Sequence, residues 1–110
     1  MENKNIESCI AACEKCVDTC ETCSTENKET AGMENSVELC IACINACNDL
    51  ITTSKNNATN LDELCKKCEQ ACIACATECA KNTDMENCKE CADACNKCAT
   101  ECKAMLEVAA

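Results

Sequence analysis

The sequence predicts an all-α protein, an up-and-down four-helix bundle with a cysteine-lined core. The 110 residues fit a single domain spanning residues 1–110. The chain has no Pro and one Gly, and it is rich in Ala, Glu, Lys and Cys, which favours helix. Cysteines and apolar residues recur at spacings of three and four, the period of one helical face. Short polar links separate four such segments.

The first two helices are predicted over roughly residues 5–28 and 34–53. Gly32 lies between them, where a glycine commonly ends a helix. The inner stripe of the first helix is Ile6, Cys9, Cys13, Cys16, Cys20 and Cys23. The inner stripe of the second is Val37, Cys40, Cys43, Cys47 and Leu50.

The other two helices are predicted over roughly residues 61–81 and 84–107. Asn60 with Glu63 and Thr83 with Glu86 have the spacing of capping boxes at their starts. The third helix carries Cys65, Cys68, Cys72, Cys75 and Cys79. The fourth repeats this set at an offset of 23 residues, as Cys88, Cys91, Cys95, Cys98 and Cys102. Because alternating spacings of three and four form the seam of a helical bundle, nearly all 18 sulfurs should line one central channel.

Charge and composition argue against several classes of partner. The formal net charge is −10 and there are no aromatic residues, so neither nucleic acid nor an anionic membrane is an expected partner. The N-terminus lacks the pattern of a secretory signal, and no run is as long and apolar as a membrane helix. We therefore expect a cytoplasmic protein, in which thiols stay reduced.

The cysteine spacing bears on what the thiols do. Residues three or four apart on a helix have Cβ atoms about 5–6 Å apart, whereas a disulfide needs about 3.5–4.5 Å. Bridges along one ladder are therefore disfavoured. The chain has no His, so the usual Cys–His nucleophile is absent, and we expect no enzyme activity and no catalytic residue. A thiol redox reservoir remains an alternative.

Bound metal is the interpretation that best explains so many seam thiols. Thiolates select soft ions such as Cu(I), and if each sulfur bridges two ions the core holds about one Cu(I) per cysteine. Each Cu⁺ replaces one thiol proton, which keeps the filled core near neutral. Zinc in four-thiolate sites would bury a dianion at each site. The residues favour multiple Cu(I) ions, with a zinc or mixed-metal bundle as the alternative.

The two ends of the predicted bundle differ. One end is predicted to collect the apolar residues Ile6, Leu50, Ile51, Leu61, Leu64, Met105 and Leu106. The other gathers Cys23, Met33, Cys79, Met85 and Cys88. Because a Met thioether is also a soft ligand, we expect copper to enter there, with Met33 and Met85 as a weak transit site. The alternative is that both Met residues only fill the core.

The ladders Cys9–Cys23, Cys65–Cys79 and Cys88–Cys102 resemble those of the bacterial four-helix-bundle copper storage proteins, over residues 5–106. The resemblance implies a cytosolic store of many Cu(I) ions, often in a tetramer of bundles, with all 18 cysteines as candidate ligands. Members often carry His at the channel mouth, and this chain has none. Apolar residues beside the seam are candidates for a wider core or a contact between bundles, namely Ile10, Val17, Ile41 and Ile73.

Overall fold

The computed structural model describes residues 2–55, 61–82 and 85–109, and the side chains of residues 6–54, 61–82 and 85–106. This part of the chain forms four α-helices and no strand: α1 (Glu2–Asn27), α2 (Glu34–Lys55), α3 (Leu61–Cys79) and α4 (Glu86–Ala109). A short 3₁₀ turn, Ala80–Asn82, follows α3. The predicted all-α four-helix class is confirmed.

The four helices form a ring in which each packs against two neighbours. Each helix contacts the next along the chain, and α4 closes the ring against α1. The sulfur of Cys13 contacts that of Cys68, and Cys20 contacts Cys75, so α1 and α3 run parallel. Cys9 meets Cys102 at the start of one helix and the end of the other, so α4 runs antiparallel to α1. This is the up-and-down topology, in a body of 43 × 20 × 17 Å.

The turn between α1 and α2 is built around Gly32. Its φ of 86° lies in the left-handed region that glycine adopts without a steric penalty. The backbone N–H of Thr30 donates to Asn27 O at 3.1 Å, and the N–H of Met33 donates to Thr30 O at 3.2 Å. These bonds reverse the chain within a few residues, as the sequence predicted for this glycine. The predicted capping residues Asn60 and Thr83 lie outside the described residues.

The core consists of thiols with small apolar residues at its flanks. Every cysteine is buried, with at most 2 % of its surface exposed. The buried alanines beside the thiols are Ala12, Ala76, Ala92, Ala94 and Ala99. Because Cys and Ala side chains are short, the helices approach closely and sulfur fills the axis of the bundle.

The apolar residues lie where the sequence places them, at one end of the bundle. Leu50 is buried, and the half-buried residues packed against the core include Ile51, Leu61, Leu64, Met105 and Leu106. Ile41 and Ile73 are each about half exposed, at 49 % and 48 %. None of the described helices combines the length and the apolar character that crossing a membrane requires.

Candidate metal centre

All eighteen sequence-predicted thiols meet in one cluster in the core, and none of them is joined in a disulfide. The sulfurs lie in five layers along the bundle axis. Three central layers take one thiol from each helix: Cys13, Cys47, Cys68 and Cys98; Cys16, Cys43, Cys72 and Cys95; and Cys20, Cys40, Cys75 and Cys91. The terminal layers have three thiols each: Cys9, Cys65 and Cys102 at what we call the Leu50 end, and Cys23, Cys79 and Cys88 at the Gly32 end.

The sulfurs within a layer are in contact. In the middle layer, Cys16 Sγ lies 3.3 Å from Cys43 Sγ, 3.5 Å from Cys95 Sγ and 3.9 Å from Cys72 Sγ. The Cys16–Cys72 contact joins helices that face each other across the bundle, α1 and α3. The layer is therefore filled with sulfur to its centre.

Neighbouring layers are also joined by sulfur contacts. Within single helices, Cys16 and Cys20 lie 4.0 Å apart and Cys91 and Cys95 lie 3.9 Å apart. Groups of four thiols able to hold a metal ion overlap, because Cys16 and Cys43 belong to two such groups. The thiols form a continuous network in which one sulfur is within reach of two ion positions.

Hydrogen bonds between thiols separate the pKa values of neighbouring cysteines. The thiol of Cys20, followed by those of other neighbours, lowers the pKa of Cys16. The same contact with Cys16 raises the pKa of Cys20, which burial raises further. The two sulfurs of this pair lie 4.0 Å apart, and either could donate the hydrogen bond. Metal loading must displace such protons.

The two terminal layers also differ in the pKa values of their thiols. At the Leu50 end, the thiol of Cys102 lowers the pKa of Cys65, but the contact with Cys9 together with burial raises it to about 12. At the Gly32 end, the thiol of Cys23 leads the contacts that lower the pKa of Cys79 to about 5. The pKa of the Cys65 thiol is thus shifted upward and that of the Cys79 thiol downward.

Two polar residues at the Gly32 end were not among the residues predicted from sequence. Asn27 and Ser36 are each only 1 % exposed. Asn27 Nδ2 donates to Cys23 O at 2.8 Å and lies 3.9 Å from the sulfur of Cys88. Within the described part of the chain, Asn27 Oδ1 and Ser36 Oγ are the buried side-chain oxygens without a hydrogen-bond partner. The sequence spacing could have revealed both residues. Each lies four residues from a cysteine of its own helix and therefore on the same helical face as the thiols.

The predicted transit residues lie at the same end but differ in exposure. Met33 is buried in the core cluster, with 4 % of its surface exposed. Met85 is half-buried and lines an open groove of about 390 Å³ together with Glu26, Glu86 and Glu90. The groove thus carries carboxylates beside a thioether.

Comparison with known proteins identifies the family in which this arrangement of thiols occurs. A profile of the copper storage protein family, Csp, matches residues 2–107. The chain belongs to the copper storage protein family. This assignment confirms the family that the cysteine ladders predicted, and copper storage as the function.

Two structures of a Bacillus subtilis member of the copper storage protein family are similar to the chain. The Cu(I)-bound copper storage protein Csp3 is 31 % identical, has a TM-score of 0.86, and the match covers 93 % of this chain and 98 % of that one. The apo form of Csp3 gives 33 % identity, a TM-score of 0.85, and coverage of 91 % and 97 %. Among curated protein sequences no match was found.

The sulfur spacing fits a copper storage protein but does not by itself identify the metal. A thiolate–zinc bond is about 2.3 Å, so two sulfurs on one ion lie about 3.8 Å apart in a tetrahedron and about 4.6 Å apart on a line. The sulfur pairs in contact within the central layers lie 3.3 to 4.0 Å apart. Tetrahedral sites fit as they stand, and linear Cu(I) sites with bonds of similar length fit after a small outward shift. The family assignment is therefore the observation that identifies the metal as copper.

Proposed function

We propose that this protein stores or buffers many Cu(I) ions on the thiolates of its core and has no catalytic role. The observation that carries the proposal is the continuous stack of eighteen buried thiols in mutual contact. The Cu(I)-bound Csp3 of Bacillus subtilis, which has the same overall fold, supports Cu(I) as the oxidation state. In this proposal, every cysteine from Cys9 to Cys102 is a ligand.

The proposed capacity is about one Cu(I) per cysteine, because a thiolate that bridges two ions and an ion that takes two thiolates give equal numbers. The overlap of the four-thiol groups supports bridging, since Cys16 and Cys43 each serve two groups. Each Cu⁺ replaces one thiol proton, so the buried core gains no net charge. A charge left uncompensated in such a core is costly.

Zinc storage is the second candidate, and a specific observation favours it. One central layer, made of Cys20, Cys40, Cys75 and Cys91, is a complete set of four thiols close enough together to hold one ion in a tetrahedral site. Four thiolates around Zn²⁺ leave two negative charges, however, and the cysteine-filled layers hold no cationic group to balance them. Copper avoids this cost.

An anaerobic titration of the reduced protein tests the proposal. We expect Cu(I) to bind until about one ion per cysteine is present and to withstand competition from a chelator. Saturation by about four Zn²⁺, with no tighter binding of copper, would establish zinc storage instead. Rapid formation of defined disulfides under mild oxidant, with function retained, would favour the thiol redox reservoir.

We further propose that copper enters and leaves at the Gly32 end, with Met33 and Met85 as a weak transit site. Soft thioether sulfur supports this role. The position of Met85 in the groove with Glu26, Glu86 and Glu90 supports it too, because carboxylates attract a positively charged ion or its carrier. At the Leu50 end, by contrast, the described residues that pack against the core include the apolar Ile51, Leu61 and Leu64.

Replacing Met33 and Met85 together by Leu tests the transit site. We expect the double variant to keep the capacity of the parent but to load and release copper more slowly, because the soft donors outside the thiol layers are gone. Met105→Leu is the matched control, since it makes the same change at the Leu50 end. Loading and removal rates equal to those of the parent would refute the transit role and leave both Met residues as core packing.

We propose a cytoplasmic location and a homo-oligomer, a tetramer by analogy with the family. The number of cysteines without a disulfide supports the first, because thiols are kept reduced in the cytoplasm. Ile41 and Ile73 support the second, since each leaves about half of an apolar side chain in solvent. Light scattering on the apo and copper-loaded protein measures the mass. A monomer in both states would contradict the assembly and leave the storage proposal intact.

A further inference from the structure

The two terminal layers each lack a thiol from α2. That helix continues its cysteine spacing in both directions, from Cys40 back to Ser36 and from Cys47 on to Leu50. Both side chains are buried, with 1 % and 2 % of their surface exposed, and the helical spacing assigns them to the fourth position of the terminal layers. The two positions are structurally equivalent but chemically different.

At the Leu50 end the fourth position is apolar, whereas at the Gly32 end it is a hydroxyl. Ser36 has the shape of cysteine with oxygen in place of sulfur, and its Oγ has no hydrogen-bond partner within the described residues. Cu(I) prefers soft sulfur ligands to oxygen. The layer of Cys23, Cys79 and Cys88 therefore offers an ion three thiols, whereas a central layer offers four. Further sulfur ligands for such an ion come only from the next layer, through Cys40 and Cys91.

The second unpartnered oxygen lies at the same end. Asn27 Oδ1 is buried without a donor, while its Nδ2 approaches the sulfurs of Cys23 and Cys88 at 3.6 and 3.9 Å. Buried polar atoms without partners are costly unless water or a ligand reaches them. Ser36 and Asn27 together make this end polar, in contrast to the apolar residues around Leu50.

We propose, building on the copper-storage function above, that Ser36 makes the Gly32-end layer the release site of the store. Because its fourth position is not a thiol, an external soft ligand, a thiolate or a Cu(I) chelator, displaces the protein thiolates there most readily. Copper stays Cu(I) throughout. Each broken copper–sulfur bond is replaced by a bond to the incoming ligand, and the freed protein thiolate takes a proton from water.

The test compares Ser36→Cys with Leu50→Cys, each of which completes a terminal layer. Both variants are loaded anaerobically, and copper is removed with bathocuproine disulfonate while its coloured complex is followed. We expect each to bind about one ion more than the parent. We expect removal from Ser36→Cys to be roughly tenfold slower, an effect of about 1.4 kcal/mol on a barrier, and removal from Leu50→Cys to match the parent.

Ser36→Ala tests whether fast release comes from the missing thiol or from the hydroxyl, because this substitution removes only the hydroxyl oxygen. We expect it to load and release copper like the parent. Equal slowing by Ser36→Ala and Ser36→Cys would overturn the proposal, and so would equal slowing by Leu50→Cys or an unchanged rate in Ser36→Cys. Far-UV circular dichroism confirms that each variant is folded before its rate is compared.

Failure of this inference is distinguishable from failure of the storage function. If the parent does not take up many Cu(I) ions in the titration, the function itself is wrong. If the parent and both cysteine variants load fully and release copper at one rate, storage holds and only the role of Ser36 is refuted.

Discussion

Among single residues, Cys16 shows how closely sulfur surrounds a thiol of the middle layer. Its sulfur contacts one thiol on each of the other three helices, at 3.3, 3.5 and 3.9 Å. It also reaches the next layer through Cys20 at 4.0 Å. In a core of bridging thiolates such a residue serves more than one ion, so its loss should exceed the loss of one isolated ligand.

We therefore predict that Cys16→Ser lowers copper capacity by about one to two ions, because oxygen is a poor ligand for Cu(I). Anaerobic titration followed by ultraviolet absorption of the copper–thiolate bonds measures the capacity. Ala11→Ser, on the exposed face of the same helix, introduces the same side chain away from the core and should keep full capacity. A Cys16→Ser variant with the capacity of the parent would exclude Cys16 as a ligand.

Among the structural elements, the turn between α1 and α2 sets the position of α2 against the other helices. Gly32, at φ 86°, has no atom within 4 Å of where a Cβ would stand, so a side chain would meet backbone strain rather than a clash. We predict that Gly32→Ala lowers the free energy of unfolding of the apo protein by about 1–2 kcal/mol.

Urea unfolding followed by circular dichroism checks this value. Thr30→Ala in the same turn is the control, because the side chain of Thr30 is exposed and its turn hydrogen bonds use backbone atoms. We expect that variant to stay within about 0.5 kcal/mol of the parent. Equal stability of Gly32→Ala and the parent would mean that the turn adopts another conformation in solution.

For the molecule as a whole, folding and copper binding should be linked. The core is built from Cys and Ala, which bury little area each, so copper–sulfur bonds add stability that packing alone does not supply. The expected apo state is helical but less stable than the loaded state. Loading should therefore raise the thermal midpoint.

This gain should depend on pH in a definite direction. Thiols with raised pKa, such as Cys20 and Cys65, are protonated at neutral pH and must each release a proton to bind copper. Between pH 8 and pH 6 each such proton weakens binding by about 1.4 kcal/mol per pH unit. Cys79, with its pKa lowered to about 5, adds to this dependence only near and below pH 5.

We predict that copper raises the thermal midpoint more at pH 8 than at pH 6, with the apo protein melted at both values as the reference. Anaerobic circular dichroism measures the four midpoints, and a pH indicator measures the protons released on loading. A copper-induced rise as large at pH 6 as at pH 8 would mean that copper does not displace thiol protons.

The sequence by itself determined the class of the fold and the chemistry of its core. Cysteines such as Cys65, Cys68 and Cys72 recur with the helical period, and this local property places them on one face of a helix whatever the helix packs against. The large number of thiols, in a chain that has no His and no aromatic residue, indicated that the core binds a soft metal ion. The family assignment confirmed both the bundle and copper storage.

Only the tertiary structure decided which thiols share a layer and where the layers are incomplete. The helical period orders residues along one helix, but the axial alignment of four helices depends on the turns and the side-chain packing between them. That alignment puts Ser36 and Leu50 in positions equivalent to thiols and buries Asn27 beside Cys23. It also sets the directions of the pKa shifts of Cys16 and Cys79, because both shifts come from sulfurs on other helices as well as on their own.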